Sequence, residues 1–315
     1  AMDEKVDFVM IAGDLYDGDW KDHNTGLFVV RQMGRLREAE IPVFIIRGNH
    51  DAENKMTRSL RMPDNVLMFS AKKPQTKVLP DLDVAIHGRS FAQAAESENL
   101  SLEYPRGDRG LFNIGLLHTS LDGRQGHATY APCSASDLAA KGYQYWALGH
   151  VHQREELTAD ETPIVFPGNL QGRHIRESGG KGCQLVCVND AGDITMEFRQ
   201  LDVLRWQRVA VDCSAADFGD DILDLCGDQL QTALDDADGL PVAARVELCG
   251  ATAAHDQLLA RPVDWANQIR AAAIDVSDGQ MWIEKVKFQT TARRDQDEFS
   301  TDGPIAELVQ YIDEL

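Results

Sequence analysis

The sequence predicts an α/β sandwich with loops gathered along one edge, followed by a compact cap of βαβαβ pattern. Three observations carry that prediction. Apolar strand-like runs alternate with a helical repeat at the start of the chain; shorter strand-like runs follow; and the pattern changes after about Leu201. At 315 residues the chain is long enough for two domains, or for one large domain with an appendage.

Residues 6–12 (Val-Asp-Phe-Val-Met-Ile-Ala) read as a buried strand that ends at Gly13-Asp14. Residues 25–39 have helical spacing, with Leu27, Val30, Met33 and Leu36 on one side. Residues 41–47 form a second buried strand, ending at Gly48-Asn49. Runs at 84–87, 112–117, 145–148 and 163–166 are also strand-like, and their shortness suggests antiparallel pairing. In the cap, strands are expected at 208–211, 243–248 and 281–288, and helices at 220–235 and 265–273. Asp235-Asp236-Ala237-Asp238-Gly239 reads as a helix exit and turn. The polar stretch 291–304 reads as a linker. Beyond it, Ile305, Leu308, Val309 and Ile312 recur at helical spacing, in a helix that either docks a partner or folds back on the cap. The expected domains are therefore 1–202, 203–290 and 291–315.

With 43% hydrophobic and 26% charged residues, the composition is that of a soluble globular protein. No stretch approaches the roughly 18–20 apolar residues of a membrane span, and Ala1-Met2-Asp3-Glu4-Lys5 has no basic region leading into an apolar core. A cytoplasmic protein without a membrane partner is expected. Its six cysteines are scattered. Cys183 and Cys187, spaced i, i+4 in an apparent strand, fall on one face and read as packing rather than zinc-binding thiolates. The net charge of −20 counts against an indiscriminate nucleic-acid binder, although a local basic strip beside bound metals can suffice. Adaptation to high salt is a bland explanation of the same excess.

The chemistry is concentrated in four motifs: Gly13-Asp14-Leu15-Tyr16-Asp17, Gly48-Asn49-His50-Asp51, Leu117-His118 and Gly149-His150-Val151-His152. Each sits where a hydrophobic strand runs out, the end at which α/β sheets bind ligands. Together they supply one carboxylate, one amide oxygen and three imidazoles, a set suited to two adjacent divalent metals. Asp14 has two oxygens with which to bridge two cations. His150 and His152 would diverge in an extended chain, and the Gly149 turn can aim them at different metals. Arg173 and His174 follow a Pro-Gly-Asn turn soon after the last pair, where one of them can contact substrate phosphate or both can belong to an ordinary surface loop. His23, His87, His127 and His255 have no partner motif and read as surface or core residues. Tyr16 and Trp20 can either stack on a base or pack in the core.

These motifs resemble those of the calcineurin-like metallophosphoesterases. With Trp20, Arg47-Gly48-Asn49-His50-Asp51, Ala147-Leu148-Gly149-His150-Val151-His152-Gln153 and Phe166-Pro167-Gly168-Asn169-Leu170-Gln171-Gly172-Arg173, they look most like the bacterial double-strand-break-repair exonuclease branch and its YhaO-type members. The resemblance covers most of residues 1–202, and the cap only by position and general pattern. It implies a four-layer α/β sandwich followed by a small α+β capping domain. It also implies two divalent metals, Mn²⁺ foremost. Asp14, Asn49, His118 and His150 would hold the second metal, and Asp14 with His152 the first. His50 would contact the scissile phosphate and protonate the leaving oxygen, with Asp17 orienting its ring. The implied reaction is in-line attack of a metal-bridging hydroxide on a DNA phosphodiester, by a repair exonuclease or endonuclease. The implied partners are DNA, an ATPase engaged through the C-terminal region, and a second copy of the chain. A phosphatase or nucleotide phosphodiesterase acting on small substrates, and a metal-deficient DNA-end or ATPase-binding scaffold, are the rival readings.

Family members also carry an Asp-x-His motif on a first strand, which furnishes the first metal. No Asp-x-His occurs in these residues, so only one metal site is fully furnished. Roughly 40 to 50 residues of a domain-sized fold are then unaccounted for. The expectation is that the chain is a portion of a longer natural protein, the alternative being a degenerate member with one weakened site.

Overall fold

The computed structural model describes residues 1–16, 23–53, 60–122, 129–293 and 311. They pack as two compact units, one of Ala1–Leu170 with Gly182–Gln200, the other of Gln171–Lys181 with Leu201–Leu315.

In the first unit, β1 (Val9–Ile11), β2 (Val43–Ile45) and β3 (Val66–Met68) form a parallel sheet in that order. Helix α1 (His23–Glu38) crosses from β1 to β2, and Arg35 and Arg37 in its last turn suit the negative end of its dipole. Its Met33 and Leu36 pack with Val43 and Ile45 on one face of the sheet. A short helix, α2 (Asn49–Glu53), follows β2.

A six-stranded sheet comes next. Its strands are β4 (Gln75–Leu79), β5 (Val84–Gly88), β6 (Phe112–His118), β7 (Tyr145–Gly149), β8 (Glu155–Ala159) and β9 (Thr162–Phe166), ordered β4-β5-β6-β7-β9-β8. The antiparallel pairing expected of these strands holds only at its two edges; β5, β6, β7 and β9 run parallel. The connections decide this. Residues 89–111 and 119–144 are long enough to return the chain to the same end of the sheet, whereas 80–83 and 160–161 allow only a reversal.

Phe44, Ile46 and Phe69 of the small sheet meet Ile86, Ile114, Leu116 and Val165 of the large one, so one core lies between the sheets. The opposite face of the large sheet, with Trp146, Leu148 and Phe166, is covered by Leu100, Tyr104, Tyr143 and Leu138 of α3 (Ala135–Ala139), whose start is fixed by a Ser134/Asp137 capping box. Helix, sheet, sheet and helix make the four layers. A hairpin of β10 (Gly182–Val188) and β11 (Ile194–Gln200) adds Val186 and Met196 to the inter-sheet core. Cys187 is exposed rather than packed, because it lies on the hairpin strand next to core-facing Val186.

The second unit is a parallel sheet of β12 (Arg205–Asp212), β13 (Val242–Thr252) and β14 (Met281–Ala292). It carries helices α4 (Gly219–Asp235), α5 (His255–Ala260) and α6 (Pro262–Ser277). Alternation sends Val209, Val211, Val246 and Leu248 into a core with Ile222, Leu230 and Ile269, while Arg208 and Ala210 face out. The C-terminal helix expected at 304–315 falls outside the described residues except for Tyr311, which is exposed. No helix among the described residues is long and apolar enough to cross a membrane.

Candidate metal centre

Three strand exits of the first unit meet at one place. Asp14 follows β1 and adopts a left-handed conformation (φ +54°) that turns its carboxylate back towards the exits of β2 and β6. Its Oδ1 accepts the backbone N–H of His50 at 2.9 Å. Its Oδ2 lies 3.4 Å from Nε2 of His118, the last residue of β6, whose side chain is fully buried. Asn49, the first residue of α2, brings Oδ1 to 3.0 Å from the same Nε2. His150 follows β7 with φ +102°, a strained setting for a residue with a side chain, and its ring lies edge-on to His118 at 5.2 Å.

The exits can approach so closely because they are lined with glycine. A Cβ on Gly48 would stand 2.3 Å from Asp14 Oδ1, and one on Gly149 would stand 1.9 Å from the Ala12 carbonyl. Any larger residue at either position would push a ligand-bearing loop away.

The proton accounting at His118 is specific. Nδ1 lies 2.8 Å from the Ala12 carbonyl oxygen, which can only accept, so Nδ1 carries the ring's proton. In the neutral ring Nε2 then presents a lone pair to two further acceptors, Asn49 Oδ1 and Asp14 Oδ2. Three lone-pair atoms facing one another in a buried setting call for a cation among them, or for a charged ring. The donor set of carboxylate, amide oxygen and imidazole suits a divalent metal, and a backbone carbonyl that fixes the tautomer of a ligating ring is the usual support. Among the described residues, Asp14, His118 and His150 form a group whose ligand atoms all lie within 4.8 Å of one another. Burial pushes the Asp14 carboxyl up, but the His118 hydrogen bond and charge, with the His50 N–H, outweigh it and hold it below the ordinary carboxylate range.

Asp51 is the functional residue that the sequence reading passed over. Almost fully buried, it accepts N–H groups from Gly48 and Leu15 at 3.2 Å and from Tyr16 at 3.4 Å. It therefore ties the loop bearing Asp14 to the loop bearing Asn49 and His50. Burial raises its pKa; the Gly48 N–H opposes this, and the nearby Asp14 charge adds to the rise. The available signal was its place in the first turn of α2, two residues after a ligand. Phe91, whose ring lies 5.1 Å from that of His118, walls the same pocket and carried no sequence signal.

The remaining site residues fall elsewhere. His152 is half-buried, one residue beyond Val151, and stands outside the Asp14, His118 and His150 group. Asp17 and Trp20 lie outside the described residues, as does His127. Tyr16 is a core residue. Arg173 and His174 belong to the second unit. There the Arg173 guanidinium is paired with the buried Glu177 at 2.9 Å, and His174 Nε2 lies 3.8 Å from the same carboxylate.

A helix–sheet–sheet–helix sandwich with oxygen and imidazole donors gathered at its strand exits defines a metal-dependent phosphoesterase. Residues 1–154 match the calcineurin-like phosphoesterase family, and the chain belongs to the calcineurin-like metallophosphoesterases, hydrolases that use divalent metals. Within that family the likeness runs towards YhaO: residues 206–291 match the middle domain of metallophosphoesterase YhaO. The chain is 40% identical over 219 residues to the uncharacterized metallophosphoesterase YhaO of Bacillus subtilis, covering 69% of this chain and 53% of that one. It is also 28% identical over 216 residues to the DNA double-strand break repair protein Mre11 of Sulfurisphaera tokodaii, covering 64% of this chain and 54% of that one. The Mre11 of Saccharolobus solfataricus is 27% identical over 206 residues, 59% of this chain and 51% of that one. The chain thus spans about half the length of the curated relatives it matches.

Proposed function

We propose that this chain belongs to a DNA phosphodiesterase of the repair type, an exonuclease or endonuclease that works with Mn²⁺. The observation that carries the reading is the convergence of Asp14 Oδ2, Asn49 Oδ1 and His118 Nε2, with His150 beside them, at one end of the stacked sheets. The similarity to two proteins named for DNA double-strand break repair supports the choice of DNA. Divalent metals held there would lower the pKa of coordinated water and neutralise charge on phosphoryl oxygens.

The protein's own residues then have separate tasks. Asp14, Asn49, His118 and His150 hold one metal position, and Asp14 with His152 contributes to a second. His50, tied through its backbone N–H to Asp14, is positioned to give a proton to the leaving oxygen, with Asp17 as its orienting carboxylate. Arg173 or His174 serves as a phosphate contact, with Glu177 holding the guanidinium in place. An ATPase engaged through the C-terminal region, a homodimer and a cytoplasmic setting complete the proposal.

The test is cleavage of linear DNA with and without Mn²⁺. Metal-dependent cleavage that disappears in Asn49→Ala and His118→Ala is expected. The net charge of −20 favours a second reading, a phosphodiesterase of small substrates. Hydrolysis of bis-(p-nitrophenyl) phosphate with DNA left intact would select it over the first.

A further inference from the structure

The loop bearing His150 and His152 is braced from outside by the turn Pro167-Gly168-Asn169, which leaves β9. The Asn169 N–H donates to the His152 carbonyl at 3.3 Å, and the Asn169 carbonyl accepts the Gly182 N–H at 3.1 Å. Gly168 lies at φ +79°, and a Cβ there would stand 2.9 Å from the His152 carbonyl oxygen and 3.0 Å from the Arg154 nitrogen. Both are backbone atoms, so neither can step aside as a flexible side chain would. Two residues past His152, Arg154 reaches the hairpin: its guanidinium lies 4.9 Å from the Phe198 ring centre, and its Nε lies 3.4 Å from Gln184 Oε1. Gly182 is itself locked in place, since a Cβ there would meet the Arg199 carbonyl at 1.9 Å.

This bracing makes no use of the ligands around Asp14, and the loop needs it. A side-chain-bearing residue at φ +102°, as His150 is, persists only where its surroundings over-determine it. From this geometry we infer that Gly168, through its lack of a side chain, and Asn169, through its N–H, are positioning residues for His152. They set where the imidazole stands, and with it the affinity of the metal position that His152 serves. The inference rests on the two-metal reading above.

The experiment is a calorimetric Mn²⁺ titration of the whole chain, run on wild type, Gly168→Ala, His152→Ala, their double variant and Gly192→Ala. Gly192 is the control, because it has the same backbone conformation (φ +87°) and open space where a Cβ would stand, with nothing within 4 Å. Gly168→Ala is expected to weaken Mn²⁺ binding about tenfold, the scale seen when a group supporting a ligand is changed, and to add nothing in the His152→Ala background. Gly192→Ala is expected to leave affinity unchanged. Equal affinities for Gly168→Ala and Gly192→Ala, or an undiminished loss in the His152→Ala background, would overturn the inference alone. If His152→Ala itself left Mn²⁺ affinity unchanged, the two-metal reading of His152 would fall and the inference with it. Should Gly168→Ala not fold, Phe198→Ala loosens the same brace through Arg154. A His152-dependent weakening is expected there too, and an unchanged affinity overturns the inference.

Discussion

Two buried imidazoles on neighbouring strands of the large sheet have opposite fates. His87 on β5 pairs in register with Gly115 on β6, and His118 closes that second strand three residues later. His87 has both nitrogens answered: Nδ1 meets the Thr76 hydroxyl at 2.8 Å and Nε2 the Asn113 Oδ1 at 3.1 Å, while its ring stacks on Tyr143 at 4.4 Å. A hydroxyl can donate and an amide oxygen can accept, so the neutral ring is fully satisfied. His118 spends Nδ1 on a carbonyl and faces acceptors with Nε2. What separates a core histidine from a ligand is therefore the chemistry of the groups around it, since both residues are buried. The same contrast separates what substitution should do at each.

The largest effect is expected at His118. His118→Ala removes a ligand and should weaken Mn²⁺ binding by more than about 100-fold, beyond the range of changes to supporting groups, with phosphodiester hydrolysis lost alongside. Titration of the variant checks this, and the comparison breaks if His87→Gln weakens Mn²⁺ binding as much.

Asp51→Ala should rank second. It leaves three buried N–H groups unanswered and unties two loops, at a cost on the order of 3 kcal/mol in stability, read from urea unfolding. Metal affinity should fall with it, because the loops carrying Asp14 and Asn49 are no longer tied.

His87→Gln should cost least, about 1 kcal/mol, and leave metal affinity unchanged. Its signature is in pH dependence. Burial lowers the His87 pKa below its ordinary 6.5, so the unfolded chain takes up a proton that the folded chain resists. That contribution leaves stability unaffected above about pH 6.5 and erodes it as pH falls from there towards the lower folded value. Urea midpoints between pH 7 and 5 should therefore decline less steeply in His87→Gln than in wild type. Parallel declines would mean that the ring is protonated as readily in the fold as out of it.

This difference between the two histidines was only half legible in the sequence. His118 carried a signal because Leu117-His118 stands in order with three other strand-end motifs, and His87 was set aside because it has none. The tautomer argument was out of reach, since the Ala12 carbonyl lies 106 residues away along the chain. Long periodic segments were readable: α1, β2, α4 and the strands of the second unit all fall close to their expected positions. Three-residue β3 and the polar edge strand β8 were not, because so short a run differs little from a loop. Strand direction in the large sheet was misread, because direction follows connection length rather than strand composition. Asp51 was missed because a carboxylate beside a histidine reads as part of the motif's charge. It acts through backbone N–H groups that no side-chain pattern reveals.

The most direct test of the metal centre is the metal content per chain after Mn²⁺ loading and removal of free ion, compared among wild type, Asn49→Ala and His118→Ala. At least one equivalent retained by wild type and lost in both variants is the predicted result. A wild type that retains none, or variants that load as fully as wild type, would contradict the assignment of Asp14, Asn49, His118 and His150 as a metal site.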